Sequence, residues 1–168
     1  LFPYTTLFRS VYNSLFQVAT AFETSELPLD WTPDLLAGVI SRSFRLVAET
    51  WPEAWEMKPT QCKLTHGAGL RSCAALIVSI LARNLEKHGG DVLSDALWSD
   101  VQQSLGRLKK VIVWSELEAH NATAAAKRNW KNYISPKQNT NQDIQSLSGF
   151  LQKESLALDM QAIKAKKK

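Results

Sequence analysis

Apolar residues recur at intervals of three and four along most of the chain. Strict apolar–polar alternation is almost absent, so the pattern predicts an all-α domain with few strands. Val11 to Glu23 carries Leu15, Val18, Ala19 and Phe22 at helical spacing. Thr24 to Asp30 holds Pro28 and reads as a loop. Thr32-Pro33-Asp34 is a strong helix start: threonine caps, proline suits the first turn, and aspartate favours the positive helix end. Leu35, Leu36, Val39, Ile40, Phe44, Val47 and Trp51 then repeat until Trp51-Pro52, because the residue before proline avoids helical geometry. Trp55 is expected to pack back on this helix.

Met57 to Leu64, with Pro59 inside it, reads as irregular. The most apolar segment begins at His66 or Gly67 and runs to about Lys87. Leu70, Ala74, Ile77, Leu81 and Leu85 form one stripe, and Leu76, Val78 and Ile80 widen it. A helix with so little polar surface belongs at the centre, so residues 70–85 are the expected core. Gly89-Gly90 ends it in the left-handed geometry that glycine tolerates. Asp91 is the expected cap of the next helix, whose stripe is Leu93, Leu97, Val101, Leu105, Leu108 and Ile112. Val111 to Trp114 fits either helix or a short strand. Ala122 to Tyr133 reads as a helix, and Pro136 to Asn141 as a polar loop. A last helix opens at Thr140 or Asn141 and runs through Ile144, Leu147, Phe150, Leu151, Leu156 and Leu158. The expected architecture is a single domain of about five to six helices over residues 11–158, followed by a lysine-rich flexible tail from 159 to 168.

Residues 1–10, Leu-Phe-Pro-Tyr-Thr-Thr-Leu-Phe-Arg-Ser, resemble the in-frame translation of a sequencing adapter. They hold one basic residue and no long apolar run, which fails as a targeting segment. They are set aside as an artefactual leader, and residue 11 is then expected to be a break inside a longer gene.

Composition narrows the class. A chain of 168 residues with 45% hydrophobic content suffices for one core, and no run is long enough to span a membrane. Cys62 and Cys73 exclude a disulfide framework and suit a reducing, cytoplasmic setting. That usage also argues against glycosylation at Asn121-Ala122-Thr123. His66, His88 and His120 have no ligand spacing between them, so no metal and no cofactor are expected, and each histidine reads as a cap or surface residue. Thr65-His66-Gly67-Ala68-Gly69-Leu70 offers a Gly-x-Gly at a helix start, but without the flanking elements of a phosphate loop. The glycines read instead as room for tight packing. Cys73 falls inside the apolar helix, where a thiolate is disfavoured.

The net charge of +4 is unevenly placed. Arg9 lies in the leader, and five lysines against Glu154 and Asp159 make 153–168 strongly positive, so residues 11–152 are neutral overall. One local imbalance survives. Ala119 to Gln142 holds no acid, while Lys127, Arg128, Lys131 and Lys137 interleave with Trp130 and Tyr133. Lys127, Arg128, Trp130, Lys131 and Lys137 are therefore the candidate nucleic-acid-binding residues, the alternative being a solvated helix face with its aromatics turned inward.

Several blocks, in order, resemble the C-terminal region of the DGQHR-domain family, its DndB-like members included. They are Ser43-Phe44 leading to Trp51-Pro52-Glu53-Ala54-Trp55, then Thr65-His66-Gly67 before Leu70. Leu108-Lys109-Lys110-Val111-Ile112-Val113-Trp114-Ser115 and Trp130-Lys131 follow, so the blocks span about residues 40–135. Trp-Pro-Glu-Ala-Trp departs from the family's more compact Pro-Glu-Trp pattern. The resemblance implies a DNA-binding regulator associated with DNA phosphorothioate modification. The naming Asp-Gly-Gln-His-Arg motif is not in this chain, and no catalytic residue is carried over. The expected partners are DNA and the upstream part of the same protein. The alternatives left open are a helical protein–protein scaffold and an enzyme whose site lies upstream.

Overall fold

The helix Gly67–Asn84 lies at the centre of the computed structural model, which describes residues 14–135 and 140–166. Residues 1–10, expected to be an artefactual leader, and Lys137 lie outside the described residues. In chain order the α-helices are α1 (14–23), α2 (Pro33–Thr50), α3 (Pro52–Glu56), α4 (Gly67–Asn84), α5 (Asp95–Leu108), α6 (Glu116–His120), α7 (Ala124–Asn129) and α8 (Asn141–Ala165). A 3-10 turn, Glu86–His88, follows α4, and a π-helical turn, Trp130–Ile134, follows α7. The class is all-α, with no strand among the described residues. The described helices exceed the expected five or six because short helices open at Pro52, where proline fits a first turn, and after Ser115, where a capping box restarts the chain.

The central helix is as the periodicity predicts. Cys73, Ala74, Leu76, Ile77, Ile80 and Leu81 of α4 are fully buried, while Leu70 and Val78 of the expected apolar surface are half-exposed. α4 packs chiefly on α8, with α5 and α2 against its other sides. Gly89 and Gly90 take φ of 68° and 76° and stop the segment, as expected. Thr32 caps α2 by accepting from the Leu35 N–H at 3.2 Å, and Trp55 meets Phe44 with ring centroids 6.2 Å apart. Arg42 ties α2 to α5, with its guanidinium 5.1 Å from the Trp98 ring centre and an ion pair to Asp95.

Other expectations are corrected. Asp91 does not cap α5. Its Oδ1 accepts from the Leu93 N–H at 2.8 Å and closes a separate turn, while Ser94 holds the cap position. Leu93 is consequently 63% exposed rather than part of the buried stripe. Leu15 and Leu156 also face outward, because the covered sides of α1 and α8 are those of Val18 with Phe22 and of Leu147 with Leu151. Val111 to Trp114 is neither helix nor strand. It is a turn and an extended run that makes one antiparallel bridge, Cys62 to Ser115, with the Lys63 N–H donating to the Trp114 carbonyl at 3.0 Å.

The expected boundary at residue 158 falls inside α8. Asp159 accepts from Arg83 Nη2 at 3.1 Å, Arg107 Nη1 at 2.7 Å and Ser104 Oγ at 2.7 Å, which links α8 to α4 and α5 at once. Its side chain is 16% exposed.

Candidate nucleic-acid interface

The Ser115-x-x-Glu118 capping box starts the region that carries the site. Ser115 Oγ accepts from the Glu118 N–H at 3.2 Å, and Glu118 Oε2 accepts from the Ser115 N–H at 3.0 Å and the Trp114 N–H at 2.9 Å. This arrangement turns the extended run into α6. Thr123 then caps α7 by accepting from the Ala126 N–H at 3.2 Å. The residues of the sequon therefore serve a helix turn. Asn129 Nδ2 donates to the Val111 carbonyl at 3.1 Å and seats α7 beside the end of α5.

Lys127, Arg128 and Lys131 are exposed, and none makes an ion pair among the described residues. Lys109 and Lys110, exposed at the end of α5, adjoin the Val111 that Asn129 holds. Five cations thus stand on neighbouring turns, a density that a polyanion neutralises favourably. Tyr133 is 38% exposed and stacks on Phe150, with centroids 4.0 Å apart and planes 4° from parallel. That contact fixes the π turn on α8.

Trp130 lies at the edge of the core. It is half-buried and packs against the core, yet it also lines an open groove of about 1000 Å³. One wall is the irregular segment from Met57 to His66, the second is Trp114 through His120, and the third is Trp130 with Ile134. The polar lining includes Lys63, His66, Glu116 and His120. Burial, opposed by the nearby Asp143, lowers the Lys63 pKa from its ordinary value. Burial and the Lys63 cation lower that of His66, which favours the neutral ring. His66 Nδ1 caps α4, with the Ala68 N–H at 3.5 Å. His88 contacts Asp100 at 2.8 Å and does not line this groove, and His120 is exposed.

The cysteines are buried and free. Burial, with Cys62 adding to it, pushes the Cys73 thiol up to about 12, which removes it from nucleophilic chemistry near neutral pH. The described residues hold no cluster of histidine, cysteine and carboxylate suited to a metal ion. They contain no helix long and apolar enough to cross a membrane. Gly69 explains the Gly-x-Gly: a Cβ there would stand 2.0 Å from the Lys63 carbonyl oxygen, so the helix start packs directly on backbone.

Sequence reasoning found the cations and Trp130 but not the groove. The missed signal was Ser115-x-x-Glu118, a capping-box pattern that places Glu116 and His120 on a helix beside Trp130. Comparison with protein-family models, curated proteins and solved structures finds no match to this chain.

Proposed function

We propose that this helical domain is the C-terminal region of a DGQHR-domain regulator associated with DNA phosphorothioate modification. In this reading it binds duplex DNA through the cationic face of α7 and its π turn. One observation carries the reading. The sequence blocks that resemble the family, far apart in the chain, meet at one place. His66, Trp114, Ser115 and Trp130 line a single groove, and Trp51 packs behind it on Trp114. Lys127, Arg128 and Lys131 flank Trp130 along α7 and the π turn, and Asn129 bonds the Val111 carbonyl that follows Lys109 and Lys110. Lysine and arginine side chains free of carboxylates suit phosphate oxygens, and their contribution falls with salt as counterions compete.

The test is duplex titration over a salt series. Replacing Lys127, Arg128 and Lys131 with glutamine should weaken binding and lower the slope of log affinity against log salt by about 0.9 for each phosphate left unneutralised. Removing residues 164–168 is the control. If only that deletion weakens binding, the α7 face is not the interface.

A second reading, a protein-docking scaffold, has its own observation. Leu156, Met160 and Ile163 are 43%, 49% and 56% exposed and fall at spacings of four and three on α8. Such a stripe suits an apolar partner surface. It takes the lead if neither the intact chain nor its variants bind duplex at low salt.

A further inference from the structure

Resting on the DNA-binding reading and deepening it, we infer that the groove between α6 and the π turn takes an unpaired base of a DNA strand. The cationic face holds the phosphates on either side of that base.

The groove has the size of a small-ligand site, at about 1000 Å³. It is larger than a single planar base requires, and its open side leaves room for the sugar. Its accessible lining is more apolar than polar, with half-buried Trp130 and Met57 among its walls and Trp114 buried behind them. A duplex keeps the faces of its bases stacked on one another, so it offers nothing to such a lining. An unpaired base offers a free face, and stacking on an indole is tolerant of sequence.

Charge sets the orientation. Glu116 is exposed and lines the groove, which disfavours phosphate inside it, and the half-buried Lys63 cation on the same lining is countered by nearby Asp143. Lys127, one helical turn before Trp130, and Lys131, directly after it, are exposed cations without ion pairs among the described residues. The backbone of a strand therefore tracks along α7 while its base enters beside Trp130. Glu116 is an acceptor, suited to the exocyclic amines of cytosine and adenine and unsuited to the O4 acceptor of thymine. Glu118 is engaged by the Ser115 cap and does not compete for that role.

The experiment uses the full chain and fluorescein-labelled oligonucleotides, read by anisotropy at one low salt concentration. The probes are mixed-sequence single strands, the same sequence as a hairpin duplex, homopolymers of dC, dA and dT, and an RNA strand. The chain should bind the single strand about tenfold more tightly than the duplex, within what one stacked base contributes. Trp130→Leu should weaken single-strand binding about tenfold and duplex binding by less, which removes the strand's advantage, since the stacking partner is the unpaired base while phosphate contacts persist. Glutamine at 127, 128 and 131 should weaken both. Because Trp130 also packs on the core, the exposed Glu116 supplies an independent variant. The intact chain should prefer dC and dA over dT, and Glu116→Gln should flatten that preference.

Equal weakening of strand and duplex binding in a folded Trp130→Leu variant overturns the inference. So does a base preference that Glu116→Gln leaves intact, or tighter binding of RNA than of the DNA strand. If duplex binds without any advantage for the strand, only the groove inference fails. If neither binds, the DNA reading fails with it.

Discussion

Trp51 and Trp114 meet edge to face, with ring centroids 5.6 Å apart and planes at 88°. Both are buried, and neither indole N–H has a hydrogen-bond partner among the described residues. Ring packing therefore holds the pair, a geometry that adds about 0.5–1.5 kcal/mol beyond area burial. The contact joins the end of α2 to the extended run before α6. It backs the groove through Trp114, so the site rests on the same core that α4 organises.

Asp159 is expected to be the most sensitive charged position. Arg83 and Arg107 converge on its carboxylate from α4 and α5. Asp159→Asn leaves two guanidinium groups without their shared counter-charge in a half-buried setting. The destabilisation should be about 2–3 kcal/mol, below the cost of breaking a fully buried pair because water still reaches the arginines. Urea unfolding should show the midpoint falling with little change in slope. An unchanged midpoint would make the cluster a surface ornament of α8.

Gly69→Ala should destabilise far more than a helix-propensity argument predicts. In an open helix the change would help by up to about 1 kcal/mol. Here the new Cβ would lie 2.0 Å from the Lys63 carbonyl oxygen and 2.7 Å from that of Leu64. Neither is a flexible side chain, so the segment must move and the cost should exceed about 2 kcal/mol. Gly38 serves as the control, since a Cβ there meets nothing within 4 Å. Thermal unfolding of the two alanine variants should give shifts of opposite sign.

His66 should make stability depend on pH in the mildly acidic range. Burial and Lys63 lower its folded pKa. Above the unfolded value of about 6.5 both states are neutral, and the cap contributes fully. As pH falls below that value the unfolded chain takes up a proton that the folded one resists, so stability declines until the folded pKa is passed. His66→Asn keeps a good capping side chain and removes the titration. The wild-type minus variant difference in unfolding free energy should fall as pH drops from about 7 to 5. A flat difference would rule out His66 as the source.

Cys73 should resist a thiol reagent at pH 8. Its thiol is fully buried, with a pKa pushed up to about 12. Labelling should wait on unfolding and become fast in denaturant. Rapid reaction of two thiols in the native protein would contradict the packing of α4.

Local rules made much of this fold legible. The Thr32-Pro33 start, the stop at Trp51-Pro52, the Gly89-Gly90 terminus and the apolar α4 each depend on contacts within a turn or two of the chain. Steric and capping physics at that range is written in neighbouring residues, so the all-α class and the central helix follow from the sequence. The exposed cations were equally legible as composition. What lay beyond the sequence depends on where distant elements dock. Leu15, Leu93 and Leu156 are apolar residues on periodic stripes, yet they face outward: no described element covers those sides of α1 and α8, and Leu93 sits in the turn that Asp91 closes before α5. Asp159 looks solvated in a lysine-rich segment until Arg107 and Arg83, 52 and 76 residues away, reach it. Trp130 is a core anchor and a groove wall together, since the groove exists only where three separate segments fail to close on one another. Periodicity specifies which residues are apolar. Only the tertiary packing decides which of them are covered and where a concave surface is left over.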